Sequence, residues 1–171
     1  MANYDDPFST RPNVRLRATV ALTGTQDIAE NQSTLIVQLF AQETAQQPSF
    51  SGTPANNSWQ IEVEGQEWDG NFTFDFRPGG DQSVTLLNTT HTVDHDDDGT
   101  LTVNISASSS SGVLGSANIG AQTLELPRIP RGPRAEVAGE WVNTIAHVEI
   151  DGEWQNALVY AEQAGVWKLV A

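Results

Sequence analysis

The chain has 171 residues, with 22 acidic and 8 basic side chains, a formal net charge of −14 at pH 7 and no cysteine. Its length suits one β domain with a core of its own plus a small appendage. Its negative charge disfavours nucleic acid and anionic membranes as partners. The lack of cysteine excludes disulfides and thiolate chemistry. No apolar run reaches the length of a membrane span and the N-terminus lacks a secretory signal, so we expect synthesis in a cytosol without export.

Residues 1–12 are predicted to form an N-terminal arm. They contain two prolines and few apolar side chains. Such a segment is either a disordered tail or one that becomes ordered against a neighbouring subunit. In the second case, Tyr4 and Phe8 are the side chains expected to anchor it.

Residues 13–127 are predicted to form an antiparallel β domain. Apolar and polar residues alternate through most of this stretch, with the clearest strand at residues 14–22, and this period of two is typical of strands with one buried face. The stretches 42–57 and 106–112 are predicted as loop or bulge, and Asp98 begins a hairpin turn with the glycine that follows it. Seven or eight strands at this spacing predict an all-β fold, an immunoglobulin-like antiparallel β-sandwich.

Residues 128–134 are predicted to form a Pro/Arg linker, because prolines stiffen an extended connection and cannot continue a central strand. Arg128, Arg131 and Arg134 supply all but one of the cations after Arg77. Such a linker is either solvated or a strap along an acidic neighbour, such as another copy of this chain.

Residues 135–171 are predicted to form a small Trp-rich β-hairpin unit. Two segments, 147–154 and 159–167, each read as a strand, a glycine-containing turn and a tryptophan. Two hairpins have too thin a core to be stable alone, so we expect the unit to pack on the sandwich or on another subunit. Its expected anchors are Trp141, Trp154 and Trp167.

Catalytic motifs are missing from the sequence. It has three histidines and contains no nucleophile elbow, phosphate-binding glycine loop or zinc-protease motif. Counting carboxylates does not exclude an acid pair of the glycosidase type, but a solvated acidic surface is the favoured interpretation. We therefore expect a non-enzymatic protein with no catalytic residue and no cofactor.

An acidic turn resembles half of a calcium-binding loop. Asp94, Asp96 and Asp98 precede Gly99 at the alternating spacing that a hard cation requires. The twelfth position of such a loop needs a bidentate glutamate, and Ile105 stands there instead. The alternatives are a charged hairpin tip, which we favour, and a calcium site.

Two motifs resemble a family of siphophage structural proteins. They are Thr-Val-Asp-His-Asp-Asp-Asp-Gly-Thr-Leu-Thr-Val at 92–103 and Leu-Glu-Leu-Pro-Arg-Ile-Pro-Arg at 124–131. The resemblance covers roughly residues 14–131, with His95 displaced from the usual spacing, and the Gly-Val-Trp-Lys sequence at 165–168 is similar to short endings of phage tail proteins. These are tail-associated β-sandwich proteins, minor structural or minor tail proteins, so the resemblance implies a virion component without known catalysis and transfers no active-site residue.

Three functions remain open at this point. The first is a minor tail or tail-tip protein of a bacteriophage virion, made in the host cytoplasm, that binds other virion proteins and copies of itself. The second is a capsid decoration protein of the same fold. The third is a carbohydrate-binding or adhesion module that stacks a host-surface glycan on Trp59, Trp68 or Trp154, although their alternating strand positions favour burial in a core.

Overall fold

The structure, a computed structural model, describes residues 2–44, 50–77, 82–129, 134–137, 140–143, 146–157, 159–163 and 166–169. Within these residues the regular structure is β-strand, apart from one 3-10 turn at Pro54–Asn56. The strand pairs among these residues for which the partner residues are defined are all antiparallel. The prediction of an all-β antiparallel fold is therefore confirmed.

Ten strands precede the proline-rich segment. They are β1 (Ala2–Pro7), β2 (Val14–Leu22), β3 (Gln32–Glu43), β4 (Ser51–Gly52), β5 (Asn57–Val63), β6 (Gln66–Asn71), β7 (Phe74–Asp75), β8 (Ser83–Asp94), β9 (Thr102–Ser111) and β10 (Gly115–Glu125). Six short strands follow: β11 (Arg134–Val137), β12 (Glu140–Asn143), β13 (Ala146–Ile150), β14 (Glu153–Ala157), β15 (Tyr160–Gln163) and β16 (Val166–Leu169).

Two four-stranded sheets form the main β structure. Their strand orders are β1-β2-β3-β8 and β10-β9-β5-β6, and β4 pairs with β7 in a small separate ladder. Three consecutive strands therefore lie side by side in the first sheet. In an immunoglobulin constant-type domain the second and third strands belong to different sheets, so the immunoglobulin-like part of the prediction is not confirmed.

The chain divides into two compact units. The first comprises Met1–Thr23, Thr34–His91 and Thr102–Glu125, and the second comprises Gly24–Ser33, Thr92–Leu101 and Leu126–Ala171. The second unit thus takes in two segments from within the predicted sandwich, beside the predicted linker and C-terminal residues.

The core of the first unit follows the alternation that the sequence shows. Every second residue of β2, from Val14 to Val20, is fully buried, as are Val37 and Leu39 of the paired strand β3. Each Val or Leu buried in this way stabilises the fold by about 1.5–3 kcal/mol. A second set of buried side chains lines β5 and β9, including Ile61, Val63, Val103 and Ile105.

The serine-rich stretch is a strand and not a loop. β9 pairs with β10 on one side and with β5 on the other, and it extends to Ser111. Ser111 Oγ donates to Asn57 Oδ1 at 2.7 Å, and Ser109 Oγ donates to the Ser58 carbonyl at 2.9 Å. Because these hydroxyls find partners inside the domain, small polar side chains can occupy buried positions that normally hold apolar ones.

The predicted N-terminal arm is also a strand. All six residues of β1 pair with β2, from Ala2 opposite Val20 to Pro7 opposite Arg15. Beyond the end of β1, the Ser9 amide donates to the carbonyl of Ser116, a residue of β10, at 2.8 Å. Alternation is hidden here because the inward-facing residues include Tyr4 and Asp6, which a hydrophobicity pattern does not mark as core.

Three C-terminal hairpins stand where two were predicted. β11 pairs with β12, β13 with β14, and β15 with β16, each as a two-stranded sheet. The predicted pair corresponds to the second and third hairpins. The first hairpin, at residues 134–143, was not predicted.

Candidate interaction surfaces

The two predicted arm anchors are engaged within their own chain. Tyr4 Oη donates to the Thr123 carbonyl at 2.9 Å, and burial raises the pKa of Tyr4. Phe8 is fully buried, and its amide donates to the Val14 carbonyl at 3.0 Å. A contact of either side chain with a neighbouring subunit would first require residues 2–10 to leave the domain.

An ion pair holds β1 on β2. Arg17 Nε donates to Asp5 Oδ1 at 2.6 Å, and Arg17 Nη2 donates to Asp5 Oδ2 at 2.9 Å. This bidentate geometry lowers the pKa of Asp5 despite the opposing effect of its partial burial. The pair lies on the outer face of the first sheet, where both groups remain accessible to solvent.

The acidic hairpin tip is organised by hydrogen bonds. Asp98 Oδ1 accepts from the Thr100 amide at 2.9 Å and from the Thr100 hydroxyl at 2.6 Å, and these bonds lower the pKa of Asp98. Asp94 Oδ1 accepts from Gln32 Nε2 at 2.8 Å. Among the described residues no three potential metal ligands come together, so the calcium hypothesis for Asp94, Asp96 and Asp98 finds no support.

A buried histidine lies beneath this tip. His95 is 7% exposed, and its backbone amide donates to the Asn31 carbonyl at 2.9 Å. Asn31 adopts φ 58° and returns two bonds from its side chain, to the carbonyls of His95 at 2.6 Å and Asp96 at 3.2 Å. Asn31 therefore fixes the position of the turn through these bonds. Its backbone has the left-handed conformation, which asparagine tolerates better than most residues.

The predicted linker begins within the second unit. Ile129 is fully buried and its amide donates to the Gly99 carbonyl at 2.9 Å. Arg128 Nε donates to the Asp98 carbonyl at 2.7 Å. Arg131 lies outside the described residues, and Arg134 opens β11 opposite Asn143. Of the three predicted linker cations, Arg128 is thus engaged within its own chain.

A shallow polar depression of about 140 Å³ lies on the outer face of the second sheet. It is lined by Gln60, Glu62, Ser106, Ala107, Ser108 and Asn118. None of these is aromatic or basic, so the depression offers no stacking platform for a sugar.

The tryptophans differ sharply in exposure. Trp59 is 8% exposed and packs over Gly70, where an added Cβ would sit 2.9 Å from Trp59 Cζ2. Trp68 is half-buried with its ring 5.5 Å from that of His91. Trp154 is 70% exposed. Burial was expected for all three, and it is wrong for Trp154.

The hairpins carry an internal repeat with one copy more than the two that the sequence analysis identified. Trp141, Trp154 and Trp167 are each 13 residues apart. Each stands directly opposite a glutamate in the second pair from the turn, and the pairs are Glu136–Trp141, Glu149–Trp154 and Glu162–Trp167. The signal that could have found the first hairpin is this spacing, with Glu-x-x-Gly-x-Trp recurring in each unit.

Comparison with known protein families gives a match over most of the chain. Residues 1–160 match the family described as "Siphovirus protein of unknown function (DUF859)". The chain belongs to this siphovirus family. No curated protein and no solved structure matches the chain.

Membership in the siphovirus family supports a phage structural protein that is associated with the virion. It agrees with the predicted resemblance to siphophage proteins, while the narrower assignment to minor tail proteins is not part of the family description. Among the residues described for this siphovirus protein, none belongs to a helix with the length and apolar character needed to span a bilayer.

Proposed function

We propose that this siphovirus protein is a non-enzymatic structural component of the virion, placed at the tail or tail tip and acting through contacts between subunits. The observation that carries the proposal is the family match over residues 1–160. The Gly-Val-Trp-Lys sequence at 165–168, similar to endings of phage tail proteins, favours the tail over the head.

The surfaces of the protein support an assembly role. Trp154, Val148 and Ile150 are large apolar side chains that remain exposed on one short hairpin. Val148 and Ile150 share one face of this hairpin and Trp154 lies on the other, and contiguous exposed apolar patches mark sites of protein association. Both ring nitrogens of His95 are hydrogen-bonded within the chain, to the Ser33 hydroxyl and the Gly99 carbonyl, as expected of a structural support.

Immunogold electron microscopy of purified phage particles tests the position. Antibody raised against the recombinant chain should place gold at the distal end of the tail, and particles treated with pre-immune serum should carry none. Gold over the head would replace the tail assignment by a decoration role. Particles without label, together with absence of the chain from purified virions by mass spectrometry, would contradict a virion protein altogether.

Adhesion is a distinct outcome that a glycan array separates from assembly. The proposal expects the recombinant chain to bind no glycan on the array while it labels particles. Glycan binding that is lost in Trp154→Ala would instead favour an adhesion module, because Trp154 is the exposed member of the three tryptophans considered for stacking.

A further inference from the structure

We propose that the C-terminal hairpins form a repeated docking site for an extended segment of a partner protein in which basic and apolar residues alternate. This inference rests on the proposed function, since the partner would be another virion protein. It names the chemistry of that partner, and it is argued from the hairpin β13–β14, whose side chains are described.

The first observation is that this hairpin has two open edges. β13 and β14 pair only with each other among the described strands, through the two-residue turn at Asp151 and Gly152, which have φ values of 53° and 86°. An isolated two-stranded hairpin is marginally stable, and each edge presents unsatisfied amide and carbonyl groups. An extended segment that pairs with one edge would satisfy these groups and complete a three-stranded sheet.

The second observation is that the two faces of the hairpin differ. Glu149 and Trp154 share one face because they are cross-strand partners. Val148 and Ile150 share the other face and are 43% and 47% exposed. Since side chains of a strand alternate between faces, an added strand would place every second residue beside the Glu–Trp pair and the others beside the valine and isoleucine.

The third observation is charge. Residues 135–171 contain six carboxylates and one lysine, a net charge of −5 within a chain of −14. An indole beside a carboxylate attracts an ammonium or guanidinium group through both the aromatic face and the ionic charge. A second copy of this chain carries the same negative charge and is disfavoured, so a basic segment of a different protein fits best.

The fourth observation is repetition. The Glu–Trp pair occurs at the same register in all three hairpins, with a constant spacing of 13 residues. If each Glu–Trp pair binds one segment, the three pairs on one chain raise the affinity for a partner that presents several such segments, without any new kind of contact. Repetition of the pair, and not merely of tryptophan, is what a shared ligand chemistry would require.

Calorimetric titration of the full chain with synthetic peptides tests the inference. The probe is an eight-residue peptide of alternating lysine and valine, and the controls are the glutamate–valine peptide and a block peptide of four lysines followed by four valines. We expect the alternating lysine peptide to bind at least about tenfold more tightly than either control. Equal binding of the block peptide would overturn the inference by indicating attraction of charge alone.

Matched variants separate the hairpin from the rest of the acidic surface. Glu149→Gln should weaken binding of the lysine–valine peptide about tenfold and reduce its salt dependence, and Trp154→Ala should weaken it further. Glu62→Gln removes an exposed glutamate of β5 and should change nothing. Because Trp154→Ala also removes a cross-strand contact within the hairpin, Glu149→Gln is the deciding variant. Unchanged binding in that variant overturns the inference.

Two further outcomes would assign a different ligand to these hairpins. Binding of choline or a chitosan oligomer with no binding of the lysine–valine peptide would point to a cell-surface polymer instead. Self-association in sedimentation that is lost in Trp154→Ala would point to a second copy. Either result contradicts the inference while leaving the immunogold result, and with it the proposed function, intact.

Discussion

His95 Nδ1 lies 2.8 Å from the carbonyl oxygen of Gly99. Because a carbonyl only accepts, this nitrogen carries the proton in the neutral ring, and Nε2 accepts from Ser33 Oγ at 2.7 Å. Ser33 in turn accepts from Gln26 Nε2 at 3.0 Å. One imidazole thus connects the acidic turn to the loop of residues 24–33.

His95→Phe should lower the free energy of unfolding by about 1–3 kcal/mol, because it removes two buried hydrogen bonds. The Gly99 carbonyl keeps the bond from the Ile129 amide, whereas the Ser33 hydroxyl loses the acceptor for its proton. Urea unfolding followed by tryptophan emission measures the change. His147→Gln is the control, since His147 is exposed in β13 and its replacement should cost less than about 0.5 kcal/mol. Equal effects of the two substitutions would contradict the connecting role of His95.

Asp5→Asn should remove an acid-dependent part of the stability. The pKa of Asp5 is lowered in the folded state by Arg17, so the unfolded state binds more protons as the pH falls below about 4. The stabilisation by the carboxylate is present above that pH and is lost as the pH falls through the folded pKa. Melting temperatures of wild type and variant should therefore differ at pH 6, and the difference should shrink as the pH falls below about 4.

Glu67→Gln serves as the control for this titration, since Glu67 is exposed in β6. Its melting temperature should follow that of the wild type across the same range. A constant difference between wild type and Asp5→Asn at every pH would show that the pair acts through packing and not through charge.

His91→Phe should abolish a second pH dependence of the stability, which lies at a higher pH than the one caused by Asp5. Burial lowers the pKa of His91, against the opposing charge of Glu64, and its Nε2 is buried without a hydrogen-bond partner. Its contribution to stability is therefore present above about pH 6.5 and declines as the pH falls below that value. The phenylalanine keeps the ring beside Trp68, so the variant should equal or exceed the wild type in stability, most clearly at pH 5.5.

Thermal unfolding between pH 5 and 8 provides the measurement. His147→Phe changes an exposed histidine by the same chemistry and should leave the slope with pH unchanged. If the melting temperature of His91→Phe still falls with decreasing pH as in the wild type, the pH dependence arises from another group.

Gly115→Ala should destabilise the protein by about 1–3 kcal/mol. Gly115 has φ 89°, and a methyl group there would overlap Ser9 Oγ and approach the Thr10 amide nitrogen to 2.8 Å. Gly120→Ala is the matched control in the same strand, because an added Cβ meets nothing within 4 Å there. If the two variants have the same denaturant midpoint, the close approach of residues 9–10 to β10 is contradicted.

The sequence predicted the strands whose burial depends on hydrophobic alternation. β2 follows this rule, and the strand predicted at residues 14–22 has these bounds in the structure. β9 was misread beyond Ile105 because serine is typical of loops, whereas the hydroxyls of Ser109 and Ser111 are satisfied by groups that are distant in sequence. No local pattern reports a partner 50 residues away.

The interaction surface was predicted only in outline. The anchor role of the tryptophans at 141, 154 and 167 stays a prediction. The glutamate opposite each one was not predicted, because the opposition depends on hairpin register. β1 was missed for a related reason, since its stability comes from pairing with β2 and not from its own hydrophobicity. The exposure of Trp154 likewise follows from the number of strands in its sheet.

Each C-terminal hairpin closes its own ladder of hydrogen bonds within 13 residues. In-frame duplication or deletion of one such unit therefore preserves the pairing of those that remain. A genome that recombines within this segment can change the number of hairpins in one step, so that the valency of the proposed docking site becomes a heritable trait independent of the β domain.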